Sequence, residues 1–475
     1  MIILIQSKPI ILTIIIACQL MVVLDSSIMV TALPEIGRTL HITTANLTWV
    51  QNAYILAYGG LMLLGARAGD ILGRRKMFSV GIALFTLASI LVGVSHSEIL
   101  LLVSRALQGL AAAIATPSTL ALLSLTFVEA KERTKAIALY SAVSGAGGSV
   151  GLLIGGLLTD LVSWRVGMFL NVPIGIILFI MIPRYLRESE KNTGRFDVMG
   201  AVTSVTGITA LVFGCVQAAA NGWGNSVTLI SLLLGVTLLT SFITIEAHAK
   251  QPITPLRLFS NRQRSGAYLG RFLFLCGNFS LFFFIPQFLQ RVLHFSSFEA
   301  GLAFLPFTAV QFGMMYVMPT LIARYGNLKV LIAGMIIAII GTSWLSSEIS
   351  IQAHFFPQLF FPLIIMGMGA GMIFLPLTSF GLTDINPNDA GAASGLINVS
   401  QQIGCSLGLA VLITIFEAVN RPASASPSNE EQFAHAISIS ITGSAIFITT
   451  SLIVVLLLFL PVRKTNREPL LRRIS

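Results

Sequence analysis

At 475 residues, 55% hydrophobic and 10% charged, with a mean hydropathy of +0.87, the chain is far too apolar for a soluble domain. Apolar runs long enough to span a bilayer recur from end to end without the period-two alternation of a membrane barrel, so the expected fold class is an all-α polytopic membrane protein. A net charge of +10 invites a nucleic-acid reading, but the basic residues sit in short loops between apolar runs, where they set membrane orientation.

In chain order, fourteen spans are expected, at about 10–31, 47–66, 77–94, 99–125, 136–158, 166–182, 198–217, 227–245, 267–289, 300–322, 330–345, 357–382, 393–415 and 436–460. The first run lacks a small-residue cleavage site and reads as a retained helix. Alternate loops differ sharply in charge. One set carries clusters such as Arg74, Arg75 and Lys76, or Lys131, Arg133 and Lys135; the other carries Arg38, Arg165, Arg291 and Arg421. By the positive-inside rule both termini are expected in the cytoplasm, with the chain in the cytoplasmic (inner) membrane. Cys18, Cys215, Cys276 and Cys405 lie inside spans without ligand spacing, which assigns them to packing. Trp49, Trp164, Trp223 and Trp344 fall near outer ends, as interfacial anchors do.

Span one holds Asp25, in LDSSIMVTALPEI, and span four holds Arg105, in RALQGLAAAIATP, at similar depth. Ionisable groups inside a membrane are costly and face a partner or a cavity. The two read either as a structural ion pair or as a proton site. Burial favours the neutral form of a carboxyl and a nearby arginine its charged form, so a movement that changes their separation would load and release a proton. The loop ARAGDILGRRK, residues 66–76, joins two helix ends through a tight turn and brings Asp70, Gly73, Arg74 and Arg75 together. It reads as a topology-fixing basic loop or as a cytoplasmic gate, whose arginines would meet carboxylates across an interface.

Span five, AIALYSAVSGAGGSVGLLIGGLLTD, is crowded with glycine. Gly147, Gly151 and Gly155 share one face at four-residue spacing, with Gly156 beside them. Small residues let membrane helices approach closely, so the stripe serves static packing or a surface on which two halves rock. An internal echo supports two halves. Gly147, Ser149 and Gly151 match Gly404, Ser406 and Gly408; Pro117 matches Pro376; Gly73, Lys76 and Gly81 match Gly326, Lys329 and Gly334. The expected organisation is an N-terminal six-helix half (1–190), two inserted helices (191–250), a C-terminal six-helix half (251–461) and a basic cytoplasmic tail (462–475). Paired halves of this kind describe a secondary transporter.

Gln51, Asn52, Tyr54, Gln108, Gln287, Gln311, Asn398 and Gln401 are the candidate polar lining of a substrate cavity, and phenylalanines enrich span nine. Arg271, one or two turns inside span nine, is long enough to snorkel to the interface, and Asp160 and Glu417 stand at solvated outer ends. No Gly-Lys-Ser/Thr phosphate loop is present and the six histidines do not cluster as metal ligands. The expectation is no enzyme, no metal and no cofactor, with the proton gradient as energy source.

These residues resemble a family pattern. Over nearly the whole chain the sequence is similar to the major facilitator superfamily, and more closely to its fourteen-helix drug:proton antiporter family, the EmrB/QacA subfamily. The resemblance rests on LDSSIMVTALPEI, on ARAGDILGRRK, on RALQGLAAAIATP, on WRVGMFLNVPIGI at 164–176, and on IPQFLQRVLHFSSFEAGLAFLP and LPLTSFGLTDINPNDAGAASGLINVSQQIG. It implies a major facilitator fold, a proton-coupling role for Arg105, and multidrug efflux by alternating access. Two departures stand out. The span-five motif has Leu152 where the family has proline, and the loop motif has Ala66 and Ile71 where glycine and a basic residue are usual. The expected partners are a small amphipathic substrate, protons and the bilayer, with room for a periplasmic adaptor protein and none for nucleic acid. Rival readings are a carrier for one dedicated metabolite, which needs convergent polar groups, and a non-transporting sensor, which needs no titrating acid.

Overall fold

The computed structural model describes residues 7–127, 129–188, 197–249, 252, 256–385, 390–420 and 429–459; the basic tail at 462–475 lies outside them. Every regular element among the described residues is helical. The order is α1 (Lys8–Leu40), α2 (Thr44–Leu72), α3 (Arg74–Gly93), α4 (Glu98–Thr126), α5 (Ala130–Leu161), α6 (Trp164–Phe169), α7 (Asn171–Tyr185), α8 (Val198–Asn221) and α9 (Ser226–His248). It continues with α10 (Arg262–Arg291), α11 (Ser297–Ala303), α12 (Leu305–Tyr325), α13 (Asn327–Glu348), α14 (Phe360–Gly381), α15 (Ala390–Val419) and α16 (Asn429–Phe459). Eleven described helices are long and apolar enough to cross a membrane, twelve with the bent pair Ser297–Met314 and Tyr316–Tyr325 counted as one. The expected spans at 47–66 and 136–158 coincide with α2 and α5, which are helical but fall outside that count. This is a multi-pass helical membrane protein.

Successive spans alternate in direction. One end of the bundle, the near end, gathers Lys8 with Glu132, Arg75 with Glu188, and Arg264 with the carbonyl of Asp384. The far end gathers Arg165 with the Ser95 carbonyl and Ser346 with Ser438. At the near end Gly73 joins α2 to α3 and Gly326 joins α12 to α13, at φ of +108° and +84°. A side chain is strained at such values, so glycine makes both turns possible.

Helices α1–α7 pack mainly among themselves, as do α10–α16 apart from α11, which packs mainly on α5. Both clusters use glycine in the same way. Gly147, Gly151 and Gly155 of α5 seat α1, where a Cβ at Gly155 would lie 2.6 Å from the Ile28 backbone; Gly404 and Gly408 of α15 seat α10 against Phe272 and Cys276. The stripe on α5 is therefore a seat for α1 within one cluster, and of the four motif glycines Gly156 meets the other cluster, at the Ser297 carbonyl. Helix α8 touches α2 and α15 and carries α9 on its outer side. α9 is the most exposed span, with Leu229, Ile230, Leu233 and Val236 facing outward, as lipid-facing residues do.

The clusters meet at mid-depth and at the far end. At mid-depth Gly59 packs on Gln402, and Ser406 donates to Asn52 Oδ1 at 2.8 Å. At the far end Gln290 donates to the Thr31 carbonyl, Arg291 reaches Thr44, and Gly301 packs on the Leu152 carbonyl. Asp160, expected to be merely solvated, accepts from the backbone N–H groups of Ser297 and Phe298 at 3.0 and 2.7 Å. It is exposed, yet it caps α11 of the opposite cluster, because orphan N–H groups at a helix start draw a carboxylate.

Candidate functional site

The sequence singled out Asp25 and Arg105 on separate helices, and the fold brings them into contact. Arg105 Nη1 donates to Asp25 Oδ2 at 2.7 Å, and both side chains are fully buried. α1 runs unbroken from Lys8 to Leu40, which sets Asp25 at its middle, about 25 Å along at the helical rise. Gln108, one turn on from Arg105, accepts from Arg105 Nη1 at 2.8 Å and donates to Asp25 Oδ1 at 2.9 Å. Asn171 of α7 donates to the same Oδ1 at 2.8 Å, and Ser89 of α3 accepts from both Gln108 and Asn171. The carboxylate thus takes one charged and two neutral donors, the arrangement that compensates a buried negative charge.

The arginine is held as firmly. Its Nε donates to the Val50 carbonyl of α2 at 3.1 Å, and its guanidinium lies 4.4 Å from the centre of the Tyr54 ring. Five helices, α1, α2, α3, α4 and α7, converge on one ion pair. Arg105 Nη2, Asn171 Oδ1 and the Tyr54 hydroxyl are buried polar atoms of this cluster with no hydrogen-bond partner among the described residues. Such atoms are costly in a dry interior and mark a place where water or another protonation state would be accommodated. Sequence reasoning found Asp25, Arg105, Gln108 and Tyr54 but missed Ser89 and Asn171. Asn171 was visible as a lone amide in the apolar stretch WRVGMFLNVPIGI; a serine in a membrane helix carries no comparable signal.

At the near end, Arg75 pairs within its own cluster and not across an interface. The Glu188 carboxylate, just past α7, accepts from the backbone N–H of Arg75 at 2.9 Å and of Lys76 at 3.1 Å, and lies 3.7 Å from Arg75 Nε. It caps α3. A Cβ on Gly73 would sit 2.6 Å from that carboxylate, a second reason for glycine there. Arg74 is half-buried and engaged with other residues, and the Asp70 side chain lies outside the described ones.

The eight polar candidates for a cavity have different partners. Gln108 and Tyr54 belong to the ion-pair cluster. Asn52 bridges to Ser406 of the other cluster, and Gln51 is buried beside it with its Nε2 unpartnered among the described residues. Gln287 is buried and donates to the Phe283 carbonyl of its own helix. Gln311 and Asn398 are half-buried, and Gln401 accepts from Arg271. Arg271 itself does not snorkel. It is 8% exposed and held between α14 and α15, because the Gln401, Thr378 and Phe374 oxygens offer acceptors close at hand. No group of three or more metal-ligating side chains occurs among the described residues.

Comparison with known proteins fits this geometry. A family model of the Major Facilitator Superfamily matches residues 15–409. The chain is 36% identical over 412 residues to the puromycin resistance protein pur8 of Streptomyces alboniger, covering 85% of this chain and 81% of that protein. It is also 36% identical over 409 residues to the cephamycin export protein CmcT of Amycolatopsis lactamdurans, covering 84% of each. Among solved structures, an inward-facing, unoccupied bacterial homologue of the human lysosomal transporter Spinster superposes with a TM-score of 0.68 at 16% identity, covering 95% of this chain and 96% of that one.

Proposed function

The chain belongs to the Major Facilitator Superfamily, and from that premise we propose that it is a proton-coupled exporter of small amphipathic compounds, working by alternating access as a multidrug efflux carrier. It is a secondary transporter and not an enzyme. The observation that carries the coupling is the buried Asp25–Arg105 pair, a carboxylate deep in a span held by an arginine of another helix. Export as the direction, and drugs as cargo, draw on relatives named for antibiotic resistance and export.

The finer reading follows the fourteen-helix drug:proton antiporter pattern of the EmrB/QacA subfamily. Fourteen crossings leave both termini in the cytoplasm of a cell with this chain in its cytoplasmic membrane. The halves 1–190 and 251–461 rock about the mid-depth contacts, with 191–250 inserted between them. The near end is then the cytoplasmic one. Inter-cluster contacts at the far end, including Asp160 on α11, fit a state closed to the outside. Arg74 and Arg75, with Gly73 and Asp70, form the cytoplasmic gate, now steadied by Glu188. The proton gradient is the energy source, each charge moved contributing about 2.3 kcal/mol per 100 mV. A periplasmic adaptor protein is a partner to be sought by affinity capture.

The test uses purified protein in proteoliposomes with an internal pH dye and an imposed gradient of lipophilic dyes or antibiotics. Several unrelated compounds should drive proton flux in the wild type and none in Asp25→Asn. Flux that survives in Asp25→Asn removes Asp25 from the coupling path. Flux with no compound of the panel removes multidrug export.

A further inference from the structure

Three arginines are buried among the described residues: Arg264 at the start of α10, held by backbone carbonyls, and Arg105 and Arg271 deeper in their spans; of the deeper two, only Arg105 has an acid among the described residues. Arg105 has Asp25. Arg271 of α10 is 8% exposed and, among the described residues, contacts no carboxylate. Its acceptors are all neutral. Gln401 Oε1 takes Nε at 3.2 Å and Nη2 at 2.7 Å, Thr378 Oγ1 takes Nη1 at 3.0 Å, and the Phe374 carbonyl takes Nη1 at 3.4 Å. A guanidinium has five N–H donors, so these four bonds leave one unspent, on Nη2. Because Gln401 turns its oxygen to the arginine, its amide N–H groups are also free to donate. A buried charge without a counter-ion is disfavoured unless a cavity or a ligand supplies one.

What surrounds the arginine is shaped for more than a bare ion. The Phe374 ring lies 4.9 Å from the guanidinium and packs edge-on against Phe274. Asn278 and Phe282 follow Arg271 at seven and eleven positions, within about 20° of it on the helical wheel and about 10 and 16 Å along the axis. Asn278 is 6% exposed, and its side chain makes no hydrogen bond with the described residues. Phe282 stacks on Phe304 of the turn before α12 at 5.4 Å and meets Phe307 edge-on at 5.5 Å. One face of α10 therefore runs cation, amide, aromatic.

We propose that Arg271 and Gln401 form the anion-recognition point of the transport site, and that the preferred substrates carry a carboxylate joined to an apolar, ring-bearing body. The carboxylate docks on the free Nη2–H and the Gln401 amide, and the ring of Phe374 takes the apolar part. Arg271 is then a specificity-determining residue. The inference deepens the export reading and rests on it for the direction of travel, but binding itself is independent of transport.

The test is scintillation-proximity binding of radiolabelled 1-naphthylacetate and its neutral isostere 1-naphthylacetamide to immobilised full-length protein. Wild type should bind the carboxylate at least tenfold more tightly than the amide. Arg271→Gln should erase that preference while leaving the amide within twofold, and Arg271→Lys should keep part of it. If Arg271→Gln does not purify as a monodisperse species, Gln401→Glu, which places a competing carboxylate on the arginine, should erase the preference instead. Equal binding of the two compounds by wild type, or a preference that survives in Arg271→Gln, overturns the proposal. Absence of carboxylate binding in a protein that still exports neutral dyes overturns the anion site and leaves export standing. Carboxylate binding that depends on Arg271, in a protein that exports nothing, does the reverse.

Discussion

The Asp25–Arg105 pair makes a prediction that separates folding from coupling. Both side chains are fully buried and 2.7 Å apart, so removing either charge leaves the other uncompensated in a low-dielectric interior. Breaking a buried pair by removing one partner costs about 3–5 kcal/mol, whereas replacing both partners with neutral groups of similar volume is often close to neutral. Asp25→Asn keeps the size and most hydrogen bonding of the carboxylate, and Arg105→Met keeps the apolar stem. Each single variant should lose ~3–5 kcal/mol, and the double variant no more than about 2, so the double falls short of the sum by at least ~4 kcal/mol. The assay is equilibrium unfolding of the purified protein in mixed dodecyl sulfate micelles, followed by the fluorescence of buried Trp164. All three variants should lose substrate-driven proton flux, but only the singles should be markedly unstable. Additive losses, or single losses under ~1 kcal/mol as for a solvated pair, would refute the reasoning.

Three further outcomes follow from contacts outside that cluster. Gly155→Ala places a Cβ 2.6 Å from the Ile28 backbone and should destabilise by about 1–3 kcal/mol, while Gly148→Ala, with its nearest neighbour at 3.9 Å, should be tolerated; the same unfolding assay compares them. Glu188→Gln weakens the cap on α3 and should cost about 0.5–2 kcal/mol, read as faster hydrogen exchange at the Arg75 and Lys76 amides; unchanged exchange would deny the capping role. Asp160→Ala removes the two bonds that tie α5 to the start of α11. A loss of about 1–2 kcal/mol from one state shifts a two-state equilibrium by roughly 5- to 30-fold, so spin-label distances across the far end should move toward the open form. Distances identical to wild type would mean that this contact does not hold the far end closed.

The helices were legible because hydropathy and loop charge are one-dimensional signals. The same holds for the α2–α3 and α12–α13 turns, where Gly73 and Gly326 were matched by the internal echo and both have positive φ. Asp25 and Arg105 stood out because any charge inside an apolar run is anomalous. What the sequence withheld was partnership. Glu188 looked like one more loop acid, yet it caps α3 from 113 positions away from Arg75. Asp160 looked solvated, yet it caps a helix of the other cluster. The glycine stripe was visible, but whether it faced α1 or the opposite half is a question of helix rotation, which spacing alone does not fix. Arg271 was misjudged for a related reason. Snorkelling depends on the absence of nearer acceptors, and the acceptors came from α14 and α15, more than 100 positions along.

On the proposed reading, Arg105 and Arg271 would divide the work of an exchanger between the two clusters. In the first, acid and base are already paired, and the proposal makes that pair the proton site. In the second, the acceptors among the described residues are neutral, and the proposal gives the counter-charge to a ligand. In the proposed exchanger the proton site and the anion site belong to different clusters, which meet at the mid-depth contacts between Asn52 and Ser406 and between Gly59 and Gln402. Rocking about those contacts strains both sites at once without bringing either charge across the other. Coupling then needs no direct competition for one carboxylate. It needs only that the far-end contacts, Asp160 on α11 among them, be more stable in one protonation state of Asp25 than in the other. A ligand shifts such an equilibrium by its differential affinity for the two states and by nothing else. The distance across the far end should therefore respond to Asp25→Asn even without substrate, and to 1-naphthylacetate only when Arg271 is present.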